Sequence, residues 1–195
     1  MTLDDIAHVI RTWIEVFQDL AKQYAWVQIF ENRGEIMGCS STDSPISDGF
    51  LPLSRSIDPH PHCQVWATDF LPNEGRVKHR TQKEYFDKHH GQVLLLNYLE
   101  RELNEFKKVR VVIEAEHWVV LVPYWAVWPY ETMLIPKRHI LRLSDLTEDE
   151  QVGLGKIMKE LLIKYDNLFK TSFPYSMGWH GAPTGSFVNE DCSHW

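Results

Sequence analysis

His60-Pro61-His62-Cys63-Gln64-Val65-Trp66 carries a polar side chain at every second position from His60 to Gln64. Successive side chains of an extended strand point to opposite faces, so the spacing predicts a strand with His60, His62 and Gln64 on one face. Two imidazoles and a carboxamide cost roughly a few kcal/mol each to bury without partners. The spacing alone leaves three readings open. The His-x-His pair can ligate a metal, the face can be a solvent-facing strand edge, or one imidazole can be a nucleophile. A neutral imidazole, with an ordinary pKa of about 6.5, attacks phosphorus and carries it as a phosphoramidate, which divides one displacement into two. Gln64 can donate an amide hydrogen to a phosphate oxygen and has no charge to lose, and such donors stabilise charge spread over a phosphoryl group.

Upstream, residues 2–23 read as an amphipathic helix. Ile6, Val9, Ile10, Trp13, Ile14, Phe17 and Leu20 recur at helical spacing, and Thr2 with Asp5 forms a capping box. Residues 26–30 read as a buried strand, and Asn32-Arg33-Gly34 is a turn signal. Gly38 permits close backbone approach in the segment that follows. Residues 41–58, beginning Ser-Thr-Asp-Ser-Pro, read as a polar flexible loop ending in an aperiodic apolar stretch.

Downstream, residues 73–107 are charged and largely helical. Residues 111–113, 118–122 and 131–136 read as strands. Thr147-Glu148-Asp149-Glu150 is a capping box opening a long helix through Ile157, Leu161, Tyr165 and Leu168. The stretch 175–183 is rich in glycine and aromatics. Strands followed by helices, twice over, predict an α+β protein of two related halves, 1–77 and 78–195.

At 195 residues and 44% hydrophobic, the chain can bury a substantial core. A formal net charge of −7 argues against non-specific nucleic-acid binding, which needs a basic surface, and leaves a single nucleotide open as a ligand. The three cysteines, Cys39, Cys63 and Cys192, form no Cys-x-x-Cys pair, which points to a reducing compartment. With no signal pattern at Met1 and no apolar run of about 18 residues, the expectation is a cytoplasmic protein without membrane association. The 8 tryptophans are expected in core and interface packing.

Several segments together resemble the galactose-1-phosphate uridylyltransferases, a branch of the histidine-triad superfamily. They are Asn32-Arg33-Gly34-Glu35-Ile36-Met37-Gly38-Cys39-Ser40, residues 59–66, Glu116-His117-Trp118, Val122-Pro123-Tyr124-Trp125, Trp128-Pro129, residues 165–169 and residues 172–183. Gln64, where the superfamily's hydrolases have a histidine, matches the transferase variant and weighs against a nucleotide hydrolase or phosphorylase. The resemblance implies two histidine-triad-like halves of antiparallel sheet with packed helices, the first N-terminally truncated, assembled as a homodimer. It implies a ping-pong exchange. UDP-glucose gives UMP to a histidine and releases glucose 1-phosphate, and galactose 1-phosphate then takes the UMP as UDP-galactose.

Matched position by position, His62 is the nucleophile. Asn32, Gly38, Ser40 and Gln64 hold the nucleotide phosphates, and Phe30 lies beside the uracil. His60 matches one ligand of a structural zinc, and His180 one ligand of a second, iron-type site. Lys78 falls where that second site has a glutamate. The remaining ligands of both sites match nothing in this chain, so little tightly bound metal is expected.

Family chains begin before Met1 and continue past Trp195, so a catalytically dead fragment is the alternative to an active transferase. Residues 41–58 stand where the family pattern has a single Asn, as an insertion or retained intron, and they part Ser40 from His62. The insert is breaker-rich and without a periodic face, so limited proteolysis is expected to cut first within 41–58. Strong hydrogen-exchange protection across those residues would contradict it.

Overall fold

The computed structural model describes residues 2–34, 37 and 63–187. The expectations for residues 35–36, 38–62 and 188–195 lie outside the described residues.

Helix α1 spans Leu3–Ala21, and Thr2 caps it as expected: Asp5 N donates to Thr2 Oγ1, and Thr2 N to Asp5 Oδ2. Its Ile10, Trp13, Ile14 and Phe17 are buried, on the face picked out by the periodicity. Strand β1 covers Trp26–Arg33 and β2 Cys63–Thr68, followed by helices α2 (Asn73–Lys88) and α3 (Leu94–Asn104). Strands β3 (Val111–Glu114), β4 (Trp118–Leu121) and β5 (Met133–Pro136) precede helix α4 (Glu148–Phe169), and β6 is Tyr175–Trp179.

The strands form two small antiparallel sheets, β2-β1-β6 and β3-β4-β5. The protein is therefore α+β with packed helices, as the element pattern predicts. Two local expectations differ. Asn32 and Arg33, read as part of a turn, remain in β1 because Ser176 and Tyr175 of β6 pair with them. The chain bends at Gly34, whose φ of 94° suits glycine and whose Cβ position lies 2.8 Å from Pro174 Cβ. Strand β6 itself falls in the stretch noted only for its glycines and aromatics.

Strand β4 explains the layering. Trp118, Val119, Val120 and Leu121 are all 0% exposed, the pattern of a strand covered on both faces. Trp118 and Val120 join the core shared with α1, α4 and β1, whereas Val119 and Leu121 pack with Leu99 of α3 and Ile135. The first sheet packs one face into the core, and among the described residues α2 covers the other face at its Trp26 end. Val27 and Ile29 of β1, Val65 of β2 and Met177 and Trp179 of β6 pack into the core. There Trp13 of α1 lies 5.8 Å from the Trp179 ring and donates its indole N–H to Cys63 Sγ. The tryptophans divide accordingly. Trp13, Trp26 and Trp118 are buried, while Trp66, Trp125 and Trp128 are exposed.

The second sheet is fastened to α4 through Glu150. Its carboxylate takes Arg138 Nε at 2.5 Å and Arg138 Nη2 at 2.8 Å, and accepts the Thr147 N–H at 2.8 Å. Its backbone carbonyl accepts the buried Trp118 indole N–H at 2.9 Å. The Arg138 hydrogen bonds hold the Glu150 carboxyl below the ordinary glutamate range. A depressed native pKa contributes stability that is complete above the unfolded-state value and is lost as pH falls through the native one. Glu150→Ala is expected to cost about 2–4 kcal/mol in urea unfolding at pH 7, since it strands a cap and a cation. The penalty should shrink as the pH is lowered into the acid range; a penalty independent of pH would contradict the ion pair.

Candidate functional site

The open face of the first sheet is built by alternation. In β1, Gln28, Phe30 and Asn32 point away from the core, opposite Val27, Ile29 and Glu31. The antiparallel register sets Phe30 directly across from Gln64 of β2 and from Gly178 of β6, and Asn32 across from Ser176. Trp66 lies across from Gln28. Three of the residues matched to nucleotide binding, Phe30, Asn32 and Gln64, therefore share one surface. Gly38, Ser40, His60 and His62 lie outside the described residues.

Phe30 is half-buried and meets the exposed Trp66 edge-on at 5.2 Å. This is an aromatic corner rather than a core position. Sequence reasoning did not single out Trp66, although it continues the period-two series of His62 and Gln64. Asn32 accepts a hydrogen bond on Oδ1 from the Ser176 hydroxyl, which orients its amide. Gln28, also not anticipated, donates Nε2 to Trp179 O at 2.9 Å and Ile29 O at 3.2 Å. That side chain crosses the sheet over Gly178, where a Cβ would stand 3.0 Å from Gln28 Nε2 and 3.3 Å from His180 Nε2. Behind the face, Tyr175 donates to Glu31 at 2.6 Å; burial and that carboxylate raise the phenol's pKa. Arg33 pairs with Asp166 of α4 at 3.0 Å, which ties the end of β1 to the helix.

His180 follows β6 directly, and Lys78 of α2 lies against it. The Lys78 ammonium donates to His180 O and, at 2.8 Å, to Gly181 O. It lies 5.1 Å from the centroid of the Trp26 ring. Burial pulls the Lys78 pKa down to about 7, and the two carbonyls and the ring act in the opposite direction by favouring its charge. Burial and the neighbouring Lys78 also hold the His180 imidazole below the ordinary histidine value.

Among the described residues, no group of three or more His, Cys, Asp or Glu side chains could hold a metal ion. At the iron-type position, the ammonium beside His180 is a donor that repels a cation, so these residues do not fit that metal. Among the described residues, no helix is long and apolar enough to cross a membrane.

Gly178→Val is expected to displace the Gln28 amide from its two carbonyls. The cost should be about 1–3 kcal/mol, read as a lower thermal midpoint; an unchanged midpoint would mean that the sheet accommodates the side chain.

Two family models match the chain. The galactose-1-phosphate uridyl transferase N-terminal domain matches residues 1–72, and the C-terminal domain of the same family matches residues 78–195. The galactose-1-phosphate uridylyltransferase of Rattus norvegicus is 49% identical over 195 residues, covering 100% of this chain and 46% of the relative. That of Haemophilus influenzae is also 49% identical over 195 residues, covering 100% of this chain and 49% of the relative. The chain thus spans about half the length of these curated relatives. A solved uridylyltransferase structure superposes with a TM-score of 0.82 at 26% identity, covering 100% of this chain and 55% of that one. With family models matched along both parts of the chain and the fold shared with a uridylyltransferase, the chain belongs to the galactose-1-phosphate uridyl transferase family.

Proposed function

We propose that this chain carries the nucleotidyl-transfer site of a UDP-glucose–hexose-1-phosphate uridylyltransferase, with His62 as the nucleophile. The observation that supports this most directly is the shared face of Phe30, Asn32 and Gln64 in a chain of this family. His62 stands two residues before Gln64, at the period of one strand face.

In the first step a lone pair of the neutral His62 imidazole attacks the α-phosphorus of UDP-glucose. A P–N bond forms, and the bond from that phosphorus to the bridging oxygen breaks. Glucose 1-phosphate leaves with the electron pair. In the second step a phosphate oxygen of galactose 1-phosphate attacks the same phosphorus, the P–N bond breaks, and UDP-galactose departs with the imidazole restored.

Asn32 and Gln64 have amides suited to the equatorial phosphoryl oxygens, which gather charge in both steps. Ser40 and Gly38 belong to the same phosphate-holding set. Phe30, with Trp66 edge-on to it, has the flat apolar character that a uracil ring packs against. His60 is the zinc-ligand candidate that the resemblance gives, and with the other ligands of that site unmatched in this chain, little tightly bound zinc is expected. A second copy of the chain, in the cytoplasm, is the partner that the resemblance implies.

Incubation with UDP-glucose followed by intact-protein and peptide mass spectrometry tests the reading. The expected result is one added UMP on the peptide bearing His62, lost in His62→Asn while the circular dichroism spectrum is retained. Adding galactose 1-phosphate should discharge the adduct as UDP-galactose. An adduct without discharge limits this chain to the first half-reaction. The absence of any adduct, or unchanged labelling of His62→Asn, would overturn the assignment, the first favouring a catalytically dead chain.

A further inference from the structure

We infer that Lys78 is a built-in cation that fastens α2 to the end of β6, and that His180 serves this chain without a divalent metal.

The arrangement begins at Gly75. Helix α2 descends onto the Trp26 ring there, since a Cβ at Gly75 would stand 3.1 Å from ring carbons. Lys78, one helical turn later, places its ammonium 5.1 Å from the centroid of the same ring. Beyond the ring it meets two successive backbone carbonyls, those of His180 and Gly181. Such charge-assisted bonds are about twice as strong as neutral ones, and two carbonyls with a ring face make a cradle for one positive charge.

The same segment is tied elsewhere to the first half of the chain and to the second sheet's connection. Arg142 gives its guanidinium to Pro183 O, Ala182 N donates to Leu141 O at 2.7 Å, and Thr184 Oγ1 donates to Tyr24 O at 2.6 Å. Residues 180–184 thus run between α2, the start of β1 and the 141–142 segment, and Lys78 is the tie at the end nearest Gly178 and the open face. A divalent ion on His180 would have to share this corner with the ammonium, which already engages the His180 and Gly181 carbonyls.

Two measurements on the full 195-residue chain test the inference. The first is calorimetric titration with Fe²⁺ and with Zn²⁺, at pH 6 where the Lys78 amine is charged, of the unmodified protein and of His180→Asn. Because the two differ only at residue 180, any metal taken up by other histidines cancels. The expected isotherms superimpose, whereas loss of one saturable site in His180→Asn would overturn the inference. The second compares Lys78→Met with the unmodified protein. The expected result is a thermal midpoint lower by about 3–6 °C and faster hydrogen exchange confined to residues 178–182. An unchanged midpoint with unchanged exchange there would show that the ammonium fastens nothing. Should Lys78→Met not fold, the titration of the other two proteins still decides.

Discussion

Strand β1 is hydrogen-bonded along both edges, to β2 on one side and to β6 on the other, and the open face depends on that double pairing. The pairing sets Phe30 between Gln64 and Gly178 and sets Asn32 against Ser176. It also turns Trp179 and Cys63 inward, where Trp13 holds both. A slip of one residue in either register would exchange the two faces, burying Gln64 and Asn32 and exposing Ile29 and Val65. The apolar cost of exposing the fully buried Ile29, about 1.5–3 kcal/mol, protects the polar face from such a slip. The core therefore places the site without touching it.

The two matched regions do not fold as separate units around separate cores. Strand β6, from the later region, completes the sheet of the earlier one, and α1 packs on α4. One apolar cluster runs from Ile10 and Trp13 through Ile29 to Trp118, Leu154 and Ile157. The charged groups work at the edges of this cluster. Arg33 with Asp166 and Arg138 with Glu150 join strand ends or connections to α4, and Lys78 joins α2 to the end of β6. The Arg33 and Lys78 ties link elements distant in sequence, where a displaced element end would move the face it supports.

Much of this was legible from residue order. The apolar face of α1, its Thr2 cap, the Thr147 capping box and the run at 118–121 are local patterns, and the structure follows them. Gln64 on an exposed strand face was legible for the same reason, because alternation is a property of neighbours in sequence. Strand β6 was not. Gly178 and its aromatic neighbours give no periodic signal, and the strand exists because β1 offers it partners. The same pairing kept Asn32 and Arg33 extended where their residue types favour a turn. Trp66 and Gln28 were missed as members of the face because a lone exposed tryptophan and a mid-strand glutamine carry no signal until the register sets them beside Phe30 and Gly178.

Local order was thus enough for the helices, their caps, the α+β class and the polar alternation around Gln64, since each rests on contacts within a few residues. The resemblance of the motifs supplied the family. The partners across space were left to the tertiary structure. It decided that Phe30, Asn32 and Gln64 lie on one surface, that Glu31 and Tyr175 share a proton-bearing contact behind it, and that an ammonium stands beside His180. Those facts depend on which strands pair and how a helix sits on a tryptophan, and the energy that selects them comes from burying side chains contributed by both ends of the chain.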